Sequence, residues 1–299
     1  MYDWHRLRER VAIDLLRWSP KATFSRGVGW AAKRPVPRRL RNVVYSRFAR
    51  QFGIDLGEVD RPLEEFGSVD EFFTRPLPPG ARPIAAGDDV VVSPADGVLS
   101  ESGVSEGGRL IQCKGLDYTV RGILADENEA KSFVGGAYAT IYLAPHNYHR
   151  VHAPTGGVIT GFRHIPGAFF PVNQMSVRHV AGLFSINERL VTYLDGPLGR
   201  VAVVMVAAIG VSHITVAYDT VEAGASGKRA PRAGRDERYL PPRPTAKGAE
   251  LGTFHLGSTV VLLFQPGRVQ LSGLERGQTV RVGMPLGFGA AGRSGEVAA

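Results

Sequence analysis

At 299 residues the chain can bury the core of one large domain or two medium ones, and its 43% hydrophobic and 21% charged content excludes wholesale disorder. A single cysteine, Cys113, excludes an internal disulfide framework and a cysteine-built zinc site, and reads as a small buried residue. The net charge of +8 sits at one end: residues 1–50 hold 13 Lys/Arg against 3 Asp/Glu and residues 51–299 hold 23 against 25, which argues against a generally nucleic-acid-binding surface.

In chain order, the first expected element is a basic amphipathic helix. Val11, Leu15, Leu16 and Trp18 recur at helical spacing among Arg6, Arg8, Arg10, Arg17 and Lys21, and Ser19-Pro20 breaks the pattern. A second helix is predicted over 38–52, with Leu40, Val43, Val44, Phe48 and Phe52 on one side and Arg39, Arg41, Arg47 and Arg50 elsewhere. All three tryptophans (Trp4, Trp18, Trp30) fall in this arm. Basic helices carrying tryptophan suit the interface of an anionic bilayer; the competing expectation is a helical hairpin packed on the protein's own core. The longest apolar run, Val201 to Val211, is short of the roughly 20 residues of a membrane span and reads as a buried strand. The N-terminus has no uninterrupted apolar stretch, so no signal peptide is expected.

Ser68-Val69-Asp70-Glu71 has the form of a capping box opening a short helix through Phe73, and residues 75–83, RPLPPGARP, force extended and turning backbone. From about residue 88 short β-branched runs alternate with Gly, Pro and Asp turns. The expected fold is α+β: a mainly antiparallel β catalytic body, sandwich- or barrel-like, with an N-terminal amphipathic helical arm. The expected boundaries are an arm over 1–55, a connector over 56–87 and a β-rich domain over 88–299. Residues 222–250, rich in Gly, Pro and Lys/Arg, read as a long loop. The stretch 251–264, LGTFHLGSTVVLLF, reads as a strand, and residues after about 287 as a fraying tail.

Three local features carry chemistry: SPADG with Asp96, HNYHRVHAP with His146, His149 and His152, and LGST with Gly257, Ser258 and Thr259. Singly each is weak. A turn aspartate often bonds its own backbone, and the histidine spacing matches no metal motif, so no metal is expected. Together they supply a hydroxyl, a base and an acidic group to hold the base. A serine directly after glycine can attack the preceding peptide bond as well as an outside substrate. An ordinary hydrolase is disfavoured because no GxSxG elbow is present.

The blocks FFTRPLPPGARPI, SPADG, YHRVHAP, LFSINERLV and KGAELGTFHLGSTVV, in this order over residues 72–264, resemble the phosphatidylserine decarboxylase family. The resemblance implies that Ser258 attacks the Gly257 carbonyl, that the chain splits into 1–257 (β chain) and 258–299 (α chain), and that Ser258 becomes a pyruvoyl group, the covalent cofactor. It implies that His152 is the base for Ser258, that Asp96 orients His152, and that His149 handles the substrate carboxylate and the returning proton. The ketone would then act as electron sink in converting phosphatidylserine to phosphatidylethanolamine. Expected partners are the lipid, an anionic membrane surface and the two chains of the cleaved protein; a homodimer stays open. The expected location is peripheral, on the cytoplasmic face of the cell membrane. His146-Asn147 and the Val206–Val211 region depart from the family pattern, and Lys114, Arg150, Arg163 and Lys247 are candidate headgroup cations without assignment. The long loop over 222–250 is expected to give the new chain ends slack to separate.

Overall fold

The computed structural model describes residues 13–14, 18–113, 115–210, 213–224, 234–255 and 258–290. Val11, Leu15, Leu16, Trp4, Lys114 and Gly257, and the chain beyond 290, lie outside these, so the first expected helix is not described beyond Ile13, Asp14 and Trp18.

Helix α1 (Lys21–Ala32) begins directly after Pro20, whose fixed φ suits a helix start. It buries Lys21, Ser25, Gly29 and Ala32, a single face of mostly small side chains. That face lets α1 lie close on the body: Ser25 Oγ accepts from Gly210 N at 3.0 Å and the Lys21 ammonium sits 4.4 Å over the Phe170 ring. The sequence reading did not anticipate α1, because two glycines interrupt it and its buried stripe is not apolar. Helix α2 (Arg38–Phe52) has the predicted bounds and ends on Gly53 at φ 75°, the left-handed conformation that glycine adopts without strain. Its inward residues are Tyr45 and Ala49, which join Ile54, Phe66 and Phe72 in a small second core. Leu40, Val43 and Phe52 of the expected apolar stripe are instead exposed. Helix α3 (Val69–Phe73) carries the predicted cap: Ser68 Oγ accepts from Glu71 N at 3.1 Å, and Glu71 reaches back to Gly67 N at 2.6 Å.

The body is built from short antiparallel strands. In chain order these are β1 (Val90–Val92), β2 (Gly97–Val104), β3 (Arg109–Cys113), β4 (Leu116–Thr119), β5 (Ala137–Leu143), β6 (Arg150–His152), β7 (Gly157–Ile165), β8 (Arg189–Gly196) and β9 (Gly199–Val206). They continue with β10 (His213–Val216), β11 (Glu222–Ala223), β12 (Arg235–Thr245), β13 (Glu250–His255), β14 (Ser258–Phe264), β15 (Val269–Leu271), β16 (Thr279–Val280) and β17 (Pro285–Gly289). The main sheet runs β12-β7-β8-β9-β14-β5-β2-β16, a second runs β11-β10-β13-β6, and a third β1-β17-β15; none closes into a barrel. Every residue of β14 is buried, with β5 on one side and β9 on the other, as its unbroken apolar run requires. The described helices after residue 85 are all short.

The expected loop over 222–250 is a correction. Residues 222–223 are β11, residues 250–255 are β13, and Arg235–Thr245 form an eleven-residue edge strand paired along β7. Its pairing shifts between Arg238 and Arg243, where Pro241 and Pro242 fall. Proline cannot donate to a ladder and is confined to edges and bulges, so a true strand reads here as a loop. The part of the segment tied into sheets, 222–223, 235–245 and 250, is not the continuous loop expected, and residues 225–233 lie outside the described residues.

Candidate active site

The site forms where two chain segments change sheets side by side. Strands β5 and β14 pair up to Leu143 opposite Ser258. Beyond that pair the first chain passes through 144–149 into β6, and the second comes from β13. β6 and β13 pair with each other in the second sheet, Arg150 opposite Thr253 and His152 opposite Glu250, and Phe254 N donates to His149 O at 2.9 Å. The histidine run and Ser258 are thereby gathered at one corner. Ser258 is fully buried, and its Oγ has no hydrogen-bond partner among the described residues.

His149 is fully buried under Phe73, ring centroids 4.1 Å apart. Its Nδ1 lies 2.7 Å from the Asn147 carbonyl and so carries the proton, leaving Nε2 as a lone pair that is buried without a partner. Burial, together with the nearby Arg75 and His146 charges and against the Asn147 contact, pushes the imidazole down to about 3, so His149 is neutral at any ordinary pH. His152 has the same tautomer: Nδ1 donates to Gly248 O at 2.8 Å, and Nε2 accepts from the Tyr148 hydroxyl at 3.1 Å. Burial lowers its proton affinity, while the charges of Glu250 and Asp96 raise it. His146 is exposed.

Asp96 is buried on the turn that receives His152, since His152 N donates to Pro94 O at 2.7 Å. Its carboxylate does not hydrogen-bond the His152 ring. Arg82 grips it through Nε at 3.0 Å and Nη2 at 2.5 Å, Val282 N adds a bond at 2.9 Å, and the other side of Arg82 holds Glu58 at 3.0 and 2.7 Å. The atoms that fix His152 are the Gly248 carbonyl and the Tyr148 hydroxyl. The sequence reading missed Arg82, Tyr148 and Gly248. Tyr148 sits inside the quoted histidine block, and Arg82 ends the proline-rich connector that brings it to the site.

Of the four unassigned cations, Arg150 is paired with Glu250 at 2.8 Å, Arg163 with Asp126 at 2.7 Å and with Asp236, Lys247 bonds the Gly87 carbonyl, and Lys114 lies outside the described residues. A second histidine pair also escaped the sequence reading. His213 and His255 stack at 3.7 Å, with Asp70 2.8 Å from His255 Nδ1 and the Lys33 ammonium 3.2 Å from His213 Nε2, tying the ends of α1 and α3 to strands β10 and β13. No group of three or more metal-capable side chains gathers among the described residues.

A buried hydroxyl without a partner at the head of a central strand and a buried imidazole with a bare nitrogen at the same corner are the makings of a serine-centred site, and among the described residues no metal ligand set gathers. The sequence profile of the phosphatidylserine decarboxylase family matches residues 69–288, and the chain belongs to that family. It is 50% identical over 291 residues to a protein of Anaeromyxobacter sp. (strain K), covering 94% of this chain and 99% of that one. It is 45% identical over 282 residues to a protein of Myxococcus xanthus (strain DK1622), with the same coverage, and 37% identical over 281 residues to one of Brevibacillus brevis, covering 93% and 98%. Each of these relatives is named phosphatidylserine decarboxylase proenzyme.

Proposed function

We propose that this chain is a proenzyme that breaks its own backbone between Gly257 and Ser258 and then decarboxylates phosphatidylserine at a membrane surface. The observation that carries this reading is Ser258 Oγ: a nucleophile buried without a partner, directly after a glycine, on the central strand of the main sheet. A polar atom left unsatisfied in a core is costly to folding and calls for an explanation, of which catalysis is one.

In the first stage Ser258 Oγ adds to the Gly257 carbonyl carbon, and the peptide C–N bond breaks to leave an ester. Loss of the α-proton of residue 258 breaks the ester C–O bond, freeing the 257 carboxylate and leaving dehydroalanine. Water then displaces ammonia, and a pyruvoyl group caps 259–299. His152, its Nδ1 committed to Gly248, offers Nε2 as the base, a role contributing about 10²–10⁴ in rate; Tyr148 must release that nitrogen first. Asp96 assists by charge, since its carboxylate raises the proton affinity of His152 without touching it.

Ser258 and the bare Nε2 of His149 fit the pyruvoyl group, which when present supplies an electron sink to an amine substrate. His149 is assigned to the substrate. Its Nε2 lone pair can take the proton that the substrate ammonium sheds and, because burial disfavours the resulting cation, pass that proton back to carbon after carbon dioxide leaves. The buried corner also excludes water from the carboxylate that must lose its charge.

The arm supports the membrane side of the reading. With the inner face of α1 packed on the body, Trp18 is 92% exposed, Trp30 61% and Phe24 58%. Bulky aromatics turned outward among arginines suit docking on the anionic, cytoplasmic face of the cell membrane. Replacing Trp18, Phe24 and Trp30 by serine removes liposome binding and leaves self-cleavage intact. Deleting residues 1–35 would instead strip α1 from the body.

The functional reading is tested by the mass of the fresh, denatured protein with a ketone-reactive hydrazide. Cleavage turns the 32.3 kDa chain into fragments of about 28 and about 4.5 kDa, the smaller carrying the hydrazide. A single unmodified 32.3 kDa species overturns the reading.

A further inference from the structure

Arg75 is buried at 3% exposure, yet the fold does little for its charge. Among the described residues its Nε has no partner, and its guanidinium makes one long hydrogen bond, Nη1 to Phe72 O at 3.4 Å. No ion pair to Arg75 occurs among the described residues; the Phe72 ring, 5.4 Å away, is weak compensation. The equally buried Arg189 shows the contrast: three carbonyls, Ile123, Asn187 and Gly122, hold it at 2.6, 2.9 and 2.7 Å. Burying a guanidinium without partners is expensive, and burial does lower the proton affinity of Arg75, against the Glu58, Asp60 and Asp96 charges.

Its position is at the site. The preceding Phe73 covers His149 at 4.1 Å, and Thr74 O accepts from Arg150 Nε at 3.0 Å, beside His149 in the chain. Arg75 feels the charges of Glu58, Arg82 and Asp96, and His149 in turn feels that of Arg75. It therefore lies within electrostatic reach of both the carboxylate network and the bare imidazole.

We propose that Arg75 binds the phosphodiester of the substrate headgroup and so selects phosphorylated serine, an assignment that rests on the decarboxylase reading above. The headgroup offers two anions, and the chemistry separates them. Decarboxylation drains negative charge from the carboxylate, so a guanidinium on that group would hold the ground state back. The phosphodiester, four bonds from the amine, keeps its charge throughout and matches the planar fork of arginine. Arg150 and Arg163, already spent on carboxylates, are not available for it.

The test compares full-length wild type, Arg75→Gln and Arg75→Lys by fragment mass, by kinetics on phosphatidylserine, and by dissociation constants for two probes. Glycerophosphoethanolamine carries phosphate and amine without carboxylate; O-methylserine carries amine and carboxylate without phosphate. The expected result is normal cleavage of Arg75→Gln, with binding of the phosphate probe weakened about 10- to 100-fold, the loss of a charged hydrogen bond. O-methylserine binding is unchanged, KM rises with kcat held, and Arg75→Lys recovers part of the loss. Equal loss for both probes, or no loss, overturns the assignment. So do variants that are folded by circular dichroism but stay uncleaved, because Arg75 would then serve maturation. A wild type that cleaves yet neither binds a probe nor turns over the lipid brings down the decarboxylase reading itself, a failure visible without any Arg75 variant.

Discussion

The two halves of the site are built by opposite rules. In the Glu58–Arg82–Asp96 half every charge is answered by an opposite one, with Asp96 also taking a backbone N–H. In the corner half Ser258 Oγ and His149 Nε2 are at least as buried as Asp96, and nothing among the described residues answers them. Burial alone therefore does not separate the two halves; satisfaction does. A completed polar network fixes geometry, whereas an incomplete one stores reactivity at a cost to folding.

The largest expected effect falls on the incomplete half. Ser258→Ala removes the nucleophile and abolishes cleavage, leaving one 32.3 kDa band by mass. It should fold at least as well as wild type, since it deletes an unsatisfied hydroxyl; a marked fall in melting temperature would mean that Ser258 is bonded after all. Next come the histidines. His152→Gln slows self-cleavage by about 10²–10⁴, followed by fragment mass over time. His149→Gln leaves cleavage within a few-fold and removes decarboxylation. Exchange of these two outcomes would exchange the two roles, a result the bare Nε2 of His149 makes worth looking for.

The complete half should break differently. Asp96→Ala leaves Val282 N–H and one side of Arg82 unanswered in a buried setting, at a cost of about 3–5 kcal/mol in urea unfolding. Glu58→Gln touches the same arginine from its more exposed side and costs about 1 kcal/mol or less. If the two variants cost the same, the network is not graded by burial. Slowed cleavage in Asp96→Asn without loss of stability would show its charge acting on His152 directly.

How much of this was legible in the sequence follows from the same division. The three blocks that hold Asp96, the histidines and Ser258 are local and could be read directly, as could α2, the α3 cap and the apolar β14. What could not be read depends on distant partners. Arg82 and Arg75 are ordinary arginines until the connector folds back. His213 and His255 lie 42 residues apart and meet only because β10 pairs with β13. Helix α1 hid behind its glycines and β12 behind its prolines, since small buried faces and edge strands lack the periodicity that sequence reading relies on.

A last expected effect, spread over the pH scale, tests whether the corner is as dry as its unanswered nitrogen implies. The ordinary histidine value is 6.5, and burial takes His149 down to about 3. Between those two values the unfolded chain binds a proton that the folded chain refuses, so stability is full above 6.5 and falls as pH drops toward 3. The slope is at most about 1.4 kcal/mol per pH unit for one such group. His213, pushed to about 3 by burial, then by His255 and Lys33 against Asp70, adds a second contribution of the same sign. Urea unfolding of Ser258→Ala at pH 7, 6 and 5 should therefore show stability falling with pH, and adding His149→Gln should remove one histidine's share. An unchanged slope would mean that water reaches His149, and with it the carboxylate whose loss of charge the dry corner is meant to favour.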